Sequence, residues 1–229
     1  MGAGSSGSAI AYRLAQENNM KVLLIEYGGQ NRSVFIDMPA ALSYPMNLKK
    51  YNWGYRTEPE PNLYGRSLIC PRGKGLGGSS SINGMIYVRG HPQDFDNWST
   101  KGASSWSFAD VLPYFKKMEC CESRQSAWRG KNGPIRIKTA EQKNVLHKVF
   151  SDAAIQCGYS FTEDYNGYKQ EGIGAAEMTV YNGKRWSTAQ GYLKNITKQK
   201  NICIMTSCLV DKLLFLNCLL YTSDAADDP

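Results

Sequence analysis

Two glycine-rich runs and one acid are the residues of this chain best suited to chemistry. Gly2-Ala-Gly-Ser-Ser-Gly7 has the spacing of a dinucleotide fingerprint, and Glu26 stands about twenty residues further on, where the matching acid belongs. In such a turn Gly2 permits the tight bend, Gly4 lets a pyrophosphate approach bare backbone, and Gly7 allows a helix to pack closely. Ser5 and Ser6 would then open a helix whose amides face the phosphates. Glu26 would accept hydrogen bonds from both ribose hydroxyls, and a glutamate there disfavours a 2′-phosphate. Spacing alone leaves NAD and FAD equally open. The second run, Gly73-Lys-Gly-Leu-Gly-Gly-Ser-Ser-Ser-Ile-Asn-Gly-Met85, mixes glycines with small hydroxyl residues, as close approach of a ligand to backbone demands. It does not read as a flexible linker, because Leu76, Ile82 and Met85 punctuate it and it continues into an apolar, strand-like segment.

Other reactive residue types are sparse. The two histidines, His91 after an Arg-Gly turn and His147 among basic residues of a helix, read as surface or packing groups rather than bases. Cys70, Cys120, Cys121, Cys157, Cys203, Cys208 and Cys218 are odd in number and form no C-x-x-C pair. They are expected to be reduced thiols, with no metal site. The net charge of +7 is spread along the chain, which predicts a solvated basic surface and no nucleic-acid partner. With 42% hydrophobic and 21% charged residues, the composition excludes a disordered tail. No apolar run approaches the roughly 20 residues of a membrane span.

The elements that must position these residues follow from pattern. Ser8 to Asn18 predicts a helix, and Lys21 to Glu26 a buried parallel strand with its acid at the carboxyl end. Residues 28–66 carry no strong period and read as an ordered excursion pinned by Tyr51, Trp53 and Tyr55. Ser107 to Glu119 predicts an amphipathic helix capped by Ser107, with Val111, Leu112, Phe115 and Met118 on one face. Ile135 and Ile137 alternate with charges, as in a half-buried strand. A second amphipathic helix is expected over 145–157, ended by Gly158, and a further helix over 187–195. Two consecutive strands are expected over 202–206 and 209–215. This order predicts α/β architecture with an inserted region.

The run from Gly73 to Met85, followed by Tyr87, Arg89-Gly90 and Asp94, resembles the first signature of the glucose–methanol–choline oxidoreductases. Further stretches resemble the choline dehydrogenase branch of that family. They include Met38-Pro-Ala-Ala, Thr57-Glu-Pro-Glu-Pro, Asp96-Asn-Trp98, Leu112-Pro-Tyr-Phe, residues 162–172 and Gly183-Lys-Arg-Trp-Ser-Thr-Ala189. The resemblance implies a Rossmann-like FAD-binding domain, lacking its first strand here, with part of an α+β substrate domain. It implies FAD-dependent oxidation of choline to betaine aldehyde, on the way to glycine betaine, by hydride transfer to the flavin, with electrons passing to a non-nicotinamide acceptor. By the same resemblance the flavin nucleotide would touch Gly2, Gly4, Ser5, Ser6, Gly7, Glu26, Gly78, Ser79, Asn83, Gly84 and Met85. The backbone of Val210 would hold the adenine.

Some members attach FAD through a histidine just before the position of Asn83; Ile82 stands there, so the FAD is expected to be non-covalent. The family's catalytic histidine has no counterpart, so no catalytic residue is assigned and the chain by itself is expected to be inactive. Alternatives are another alcohol as substrate, or a non-catalytic flavin-binding protein. Choline's quaternary ammonium would call for aromatic faces, but Trp53, Tyr55, Trp98, Trp106 and Trp186 are expected to be core residues, and Glu58 and Glu60 solvated loop charges. The expected division is 1–135 for the FAD-binding domain, 136–190 for part of the substrate domain, and 191–217 for the return to the first. Residues 218–229 read as an adapter-derived scar, because their back-translation matches a transposon-type sequencing adapter. The fingerprint lacks its preceding strand, so a truncated start is expected. Location is expected to be cytoplasmic or peripheral to the inner membrane in a bacterium, or mitochondrial in a eukaryote.

Overall fold

A computed structural model describes residues 2–17, 19–124, 127–216 and 219–225; for 216 and 219–225 only the backbone is considered. The chain opens with helix α1 (Ser5–Ala15), strand β1 (Val22–Glu26), short helices α2 (Val34–Asp37) and α3 (Ser43–Asn47), and strands β2 (Tyr55–Arg56) and β3 (Ile69–Cys70). Then come α4 (Pro92–Thr100), α5 (Phe108–Met118), β4 (Glu119–Cys121), β5 (Ile135–Thr139), α6 (Val145–Gln156) and β6 (Glu177–Met178). Strands β7 (Val180–Tyr181) and β8 (Lys184–Arg185), helix α7 (Thr188–Gly191), and strands β9 (Ile202–Thr206), β10 (Val210–Leu216) and β11 (Leu219–Ala225) complete it. Packing divides the chain into two compact units, one of residues 1–84 with 183–229 and one of residues 85–182. These breaks differ from the expected ones at 135/136 and 190/191, because the insertion leaves at the end of the second glycine run.

In the first unit β1 and β9 pair in parallel, with Val22 opposite Ile202 and Glu26 opposite Thr206. A parallel pair needs a crossover, and everything between residues 27 and 201 supplies it. Small residues let α1 lie close against this sheet. Ala3, Ala11, Ala15 and Leu24 form one core with Leu193 and Ile196. The helix starts three residues before the predicted Ser8, since glycine and serine are accepted in its first turn. Leu23 of β1 is half exposed, so the strand is less enclosed than expected. Of the residues expected to pin the excursion, Tyr51 does so, buried with Ile36 and Ile82, while Trp53 and Tyr55 are exposed. The predicted helix over 187–195 is broken into α7 and a 3₁₀ turn at Leu193–Asn195. Strands β9 and β10 are consecutive but not partners: β10 pairs antiparallel with β11.

In the second unit β4 and β5 run parallel and β6 joins β5 antiparallel. Helix α5 carries the expected Ser107 cap as a full capping box with Asp110. Phe95 of α4 meets Phe115 edge to face, with ring centres 5.6 Å apart. Helix α6 forms where expected and ends at a left-handed Gly158, yet buries no residue; Val145, Leu146, Val149 and Phe150 are exposed. The segment after Met85 is not a strand: among the described residues it makes one isolated bridge, Ile86 with Met178.

Candidate functional site: a backbone cradle from two glycine runs

The two glycine runs, far apart in sequence, meet in the first unit. A Cβ on Gly78 would come within 2.7 Å of the Gly4 Cα, and Gly78 has a left-handed φ of +51°. A Cβ on Gly7 would be driven into the Gly2 carbonyl. Only glycine fits either contact. At Gly4 itself a Cβ would meet nothing within 4 Å, so the inner lip of the turn is open. Gly4 also caps α1 with no side-chain hydrogen bond and no acid in the first turn. The helix therefore presents its first amides, at exposed Ser5 and Ser6, without a protein side chain spent on them. An open glycine at an uncapped helix N-terminus fits a diphosphate.

Glu26 is buried at the end of β1 and ties the two runs together. Its Oε2 accepts from the Ala3 amide at 2.8 Å, and its Oε1 from the Gly28 and Gly75 amides, both at 2.9 Å. A carboxylate offers about four lone-pair positions. One is left, on Oε2, against the two hydroxyl bonds expected of this residue. Beyond β9, Ser207 and Cys208 donate their amides to the carbonyls of Gly28 and Glu26, which ties the segment leading to β10 to the backbone after β1.

Of the remaining expected residues, Ser79 accepts the Gly73 amide on its Oγ at 3.0 Å, and Asn83 and Gly84 are exposed. Met85 is buried in the second unit, with φ +63° and its carbonyl held by the Thr179 amide at 2.8 Å. Ile82 is 2% exposed and packs against Ile36 and Tyr51. Sequence reasoning missed Gly28 and Asn31; the latter donates its amide to Lys74 and Leu76 at 3.1 and 3.0 Å. The adjacent Gly28-Gly29 pair after the acid was the available signal for the first. It also missed Arg185, fully buried, which donates to Ile36, Ser80 and Asn83. Burial lowers the Arg185 guanidinium to about 10, partly offset by Asp37. A cleft of about 850 Å³, lined by Arg32, Asp37, Ser81, Arg185 and Lys194 among others, takes none of its walls from Gly2, Gly4, Glu26 or Gly78.

The aromatic candidates are corrected. Trp53, Tyr55, Trp98 and Trp106 are exposed, not core. Tyr27 and Trp53 stack at 4.9 Å, and the Lys74 ammonium lies over both rings, so those faces already hold a cation. Glu58 and Glu60 are exposed as expected. His91 caps α4, its Nδ1 accepting from the Gln93 amide, and His147 is exposed on α6. Six cysteines are free thiols, and Cys218 lies outside the described residues. Burial pushes the Cys120 and Cys121 thiols up. Among the described residues no cluster suited to a metal is present, and no helix is long and apolar enough to cross a membrane.

Comparison with known proteins supplies the deciding observation: the family model for GMC oxidoreductases matches residues 2–225. The chain belongs to the GMC oxidoreductase family. An oxygen-dependent choline dehydrogenase of Brucella anthropi is 54% identical over 202 residues, which is 88% of this chain and 37% of that protein. One from Rhizobium etli is 53% identical over the same shares. This GMC chain thus spans 37% of the length of these relatives. Among solved structures, pyridoxine 4-oxidase from Mesorbium loti superposes with a TM-score of 0.92 at 31% identity, over 98% of this chain and 44% of that one. An FAD-dependent oxidoreductase from Chaetomium thermophilum gives 0.89 at 27% identity, over 98% and 40%. The α/β fold of this GMC chain is the fold of those oxidoreductases.

Proposed function

We propose that this chain carries the dinucleotide-binding part of an FAD-dependent alcohol oxidoreductase that, as a complete protein, oxidises choline to betaine aldehyde. The observation that carries the reading is the contact of Gly78 with Gly4, which joins two glycine runs around one open, uncapped helix N-terminus. The diphosphate of FAD would lie there, against Gly2, Gly4, Ser5, Ser6 and Gly7, with the remaining lone pair of Glu26 on a ribose hydroxyl. Gly78, Ser79, Asn83, Gly84 and Met85 would face the flavin, and Val210 the adenine. When bound, the flavin supplies the hydride acceptor for an alcohol carbon. The protein's share is to hold it with backbone donors that need no rearrangement. Ile82, buried and without a nucleophile, supports non-covalent attachment. The choline dehydrogenase relatives support the substrate, and the acceptor of the electrons is a group other than nicotinamide. The first unit takes the cofactor role and the second the start of the substrate domain. A second reading, another primary alcohol, draws on the likeness to pyridoxine 4-oxidase.

The test is to express the complete protein encoded by the gene, wild type and Gly4→Val. FAD content and choline-dependent reduction of an artificial dye are then recorded. The wild type is expected to be stoichiometrically yellow and to turn over choline, and Gly4→Val to be folded and colourless. A yellow protein that ignores choline and oxidises pyridoxine would replace the substrate; a colourless wild type would overturn the reading.

A further inference from the structure

Arg185 of the first unit differs from the buried arginines of the second, Arg89 and Arg129, which are ion-paired. It is 1% exposed, and among the described residues no carboxylate lies within ion-pair distance of it. Its Nε donates to the Ile36 carbonyl at 2.9 Å. Its Nη1 donates to the Asn83 carbonyl at 2.6 Å, to Asn83 Oδ1 at 3.0 Å and to the Ser80 carbonyl at 3.3 Å. Its Nη2 is buried and meets no acceptor among the described residues. Three residues on, Thr188 donates its amide to Ser80 Oγ at 3.0 Å. One short stretch therefore grips the second glycine run at both Ser80 and Asn83.

An unpaired guanidinium is costly to bury, and carbonyl acceptors alone could be served by a neutral donor. Two consequences follow from its being an arginine. Arginine has no acceptor, so Asn83 must turn its Oδ1 toward it and its amide NH₂ the other way. The charge forms no ion pair among the described residues, so its field is only partly offset, by Asp37 further away.

We propose that Arg185 is a positioning residue for the flavin: it fixes the amide orientation of Asn83 and holds a positive charge, bound in no ion pair, behind the turn on which the flavin lies. This rests on the reading that places FAD against Gly78 to Asn83. A charge there favours the electron-rich reduced flavin over the oxidised one, and so raises its reduction potential.

The experiment uses the complete protein as wild type, Arg185→Lys and Arg185→Met. FAD affinity is read by fluorescence quenching, the bound flavin by its visible spectrum and midpoint potential, and the apoprotein by its thermal midpoint. Arg185→Lys keeps the charge but not the fork, so FAD affinity is expected to fall about tenfold with the potential nearly unchanged. Arg185→Met is expected to lose about a hundredfold in affinity, to lower the potential and to shift the flavin absorption band. A purely structural role predicts equal losses in both variants, following the thermal midpoint, with no change in potential; that result overturns the proposal. So does a folded Arg185→Met with wild-type affinity, spectrum and potential. Should Arg185→Met fail to fold, wild-type affinity in Arg185→Lys overturns it. A wild type that binds no FAD removes the underlying reading and this inference with it, whereas wild-type binding alongside unaltered variants removes this inference alone.

Discussion

The two units solve the problem of fixing a loop in opposite ways. In the first, backbone does it: Gly78 lies against Gly4 and Gly7 against Gly2, with no room for a Cβ on Gly78 or Gly7, and one buried carboxylate, Glu26, collects three amides. In the second, side-chain charge does it. Arg129, fully buried, donates to Glu119, Glu177 and Asp164 at 2.9, 2.8 and 2.6 Å, and Arg89 reaches Glu119 at 2.7 Å. Burial alone would lower the Arg129 guanidinium, but its hydrogen bonds to Glu177 and Glu119 hold it above the ordinary arginine value. Around this network burial also pushes the Tyr87 and Tyr165 phenols up. A backbone cradle leaves its donors free for a ligand; a charge network spends them on itself. The first is suited to binding and the second to rigidity.

The comparison breaks most visibly at the glycines. Gly78→Val adds a branched side chain at a left-handed φ and against Gly4, and should lower FAD affinity more than about a hundredfold while the second unit keeps its structure. A melting transition lost throughout the protein would mean that the units are not energetically separable. Next in size, Arg129→Met takes from buried Glu177 its short ion pair and from buried Glu119 one of its two, and should cost about 3–5 kcal/mol of stability in denaturant titration. If the network serves rigidity alone, the folded variant binds FAD as the wild type does; a weakened Kd at low denaturant would give it a share in the site. The smallest effect is chemical. Cys157 and Cys203 are exposed, and Cys120 and Cys121 are buried with raised thiols. Iodoacetamide at about pH 8 should label the first pair and spare the second until the protein unfolds. Mass spectrometry that finds Cys121 labelled in the native protein would show that the second unit opens readily.

The same contrast decides what was legible in the sequence. The cradle was readable because its requirements are local: a tight turn needs glycine at fixed spacing, and the acid follows at the length of one helix and one strand. Strand β1, helix α5 with its Ser107 cap and strand β5 were readable for the same reason. The charge network was not. Glu119 and Glu177 are separated by most of the second unit, and no periodicity marks Arg129 as their partner rather than a surface arginine. The aromatics at Trp53, Trp98 and Trp106 misled because ring size argues for the core, whereas at the surface Trp53 stacks on Tyr27 and Trp98 meets Trp106 at a tilt. The helix predicted over 187–195 failed at its middle, where the Tyr192 and Leu193 side chains bury themselves and the chain turns through a 3₁₀ segment.

The first unit is discontinuous in the chain and the second is not, and this sets an order of events during synthesis. Arg185 and Ile36 are 149 positions apart, and Glu26 and Gly75 are 49 apart. Residues 85–182 emerge as one stretch and need no later segment to close their own contacts. The glycine cradle is translated first but waits for α7 and β9, whose long loop closure makes those contacts late. A nascent chain on the ribosome can therefore close the contacts of its insertion before those that α7 and β9 bring to the glycine cradle.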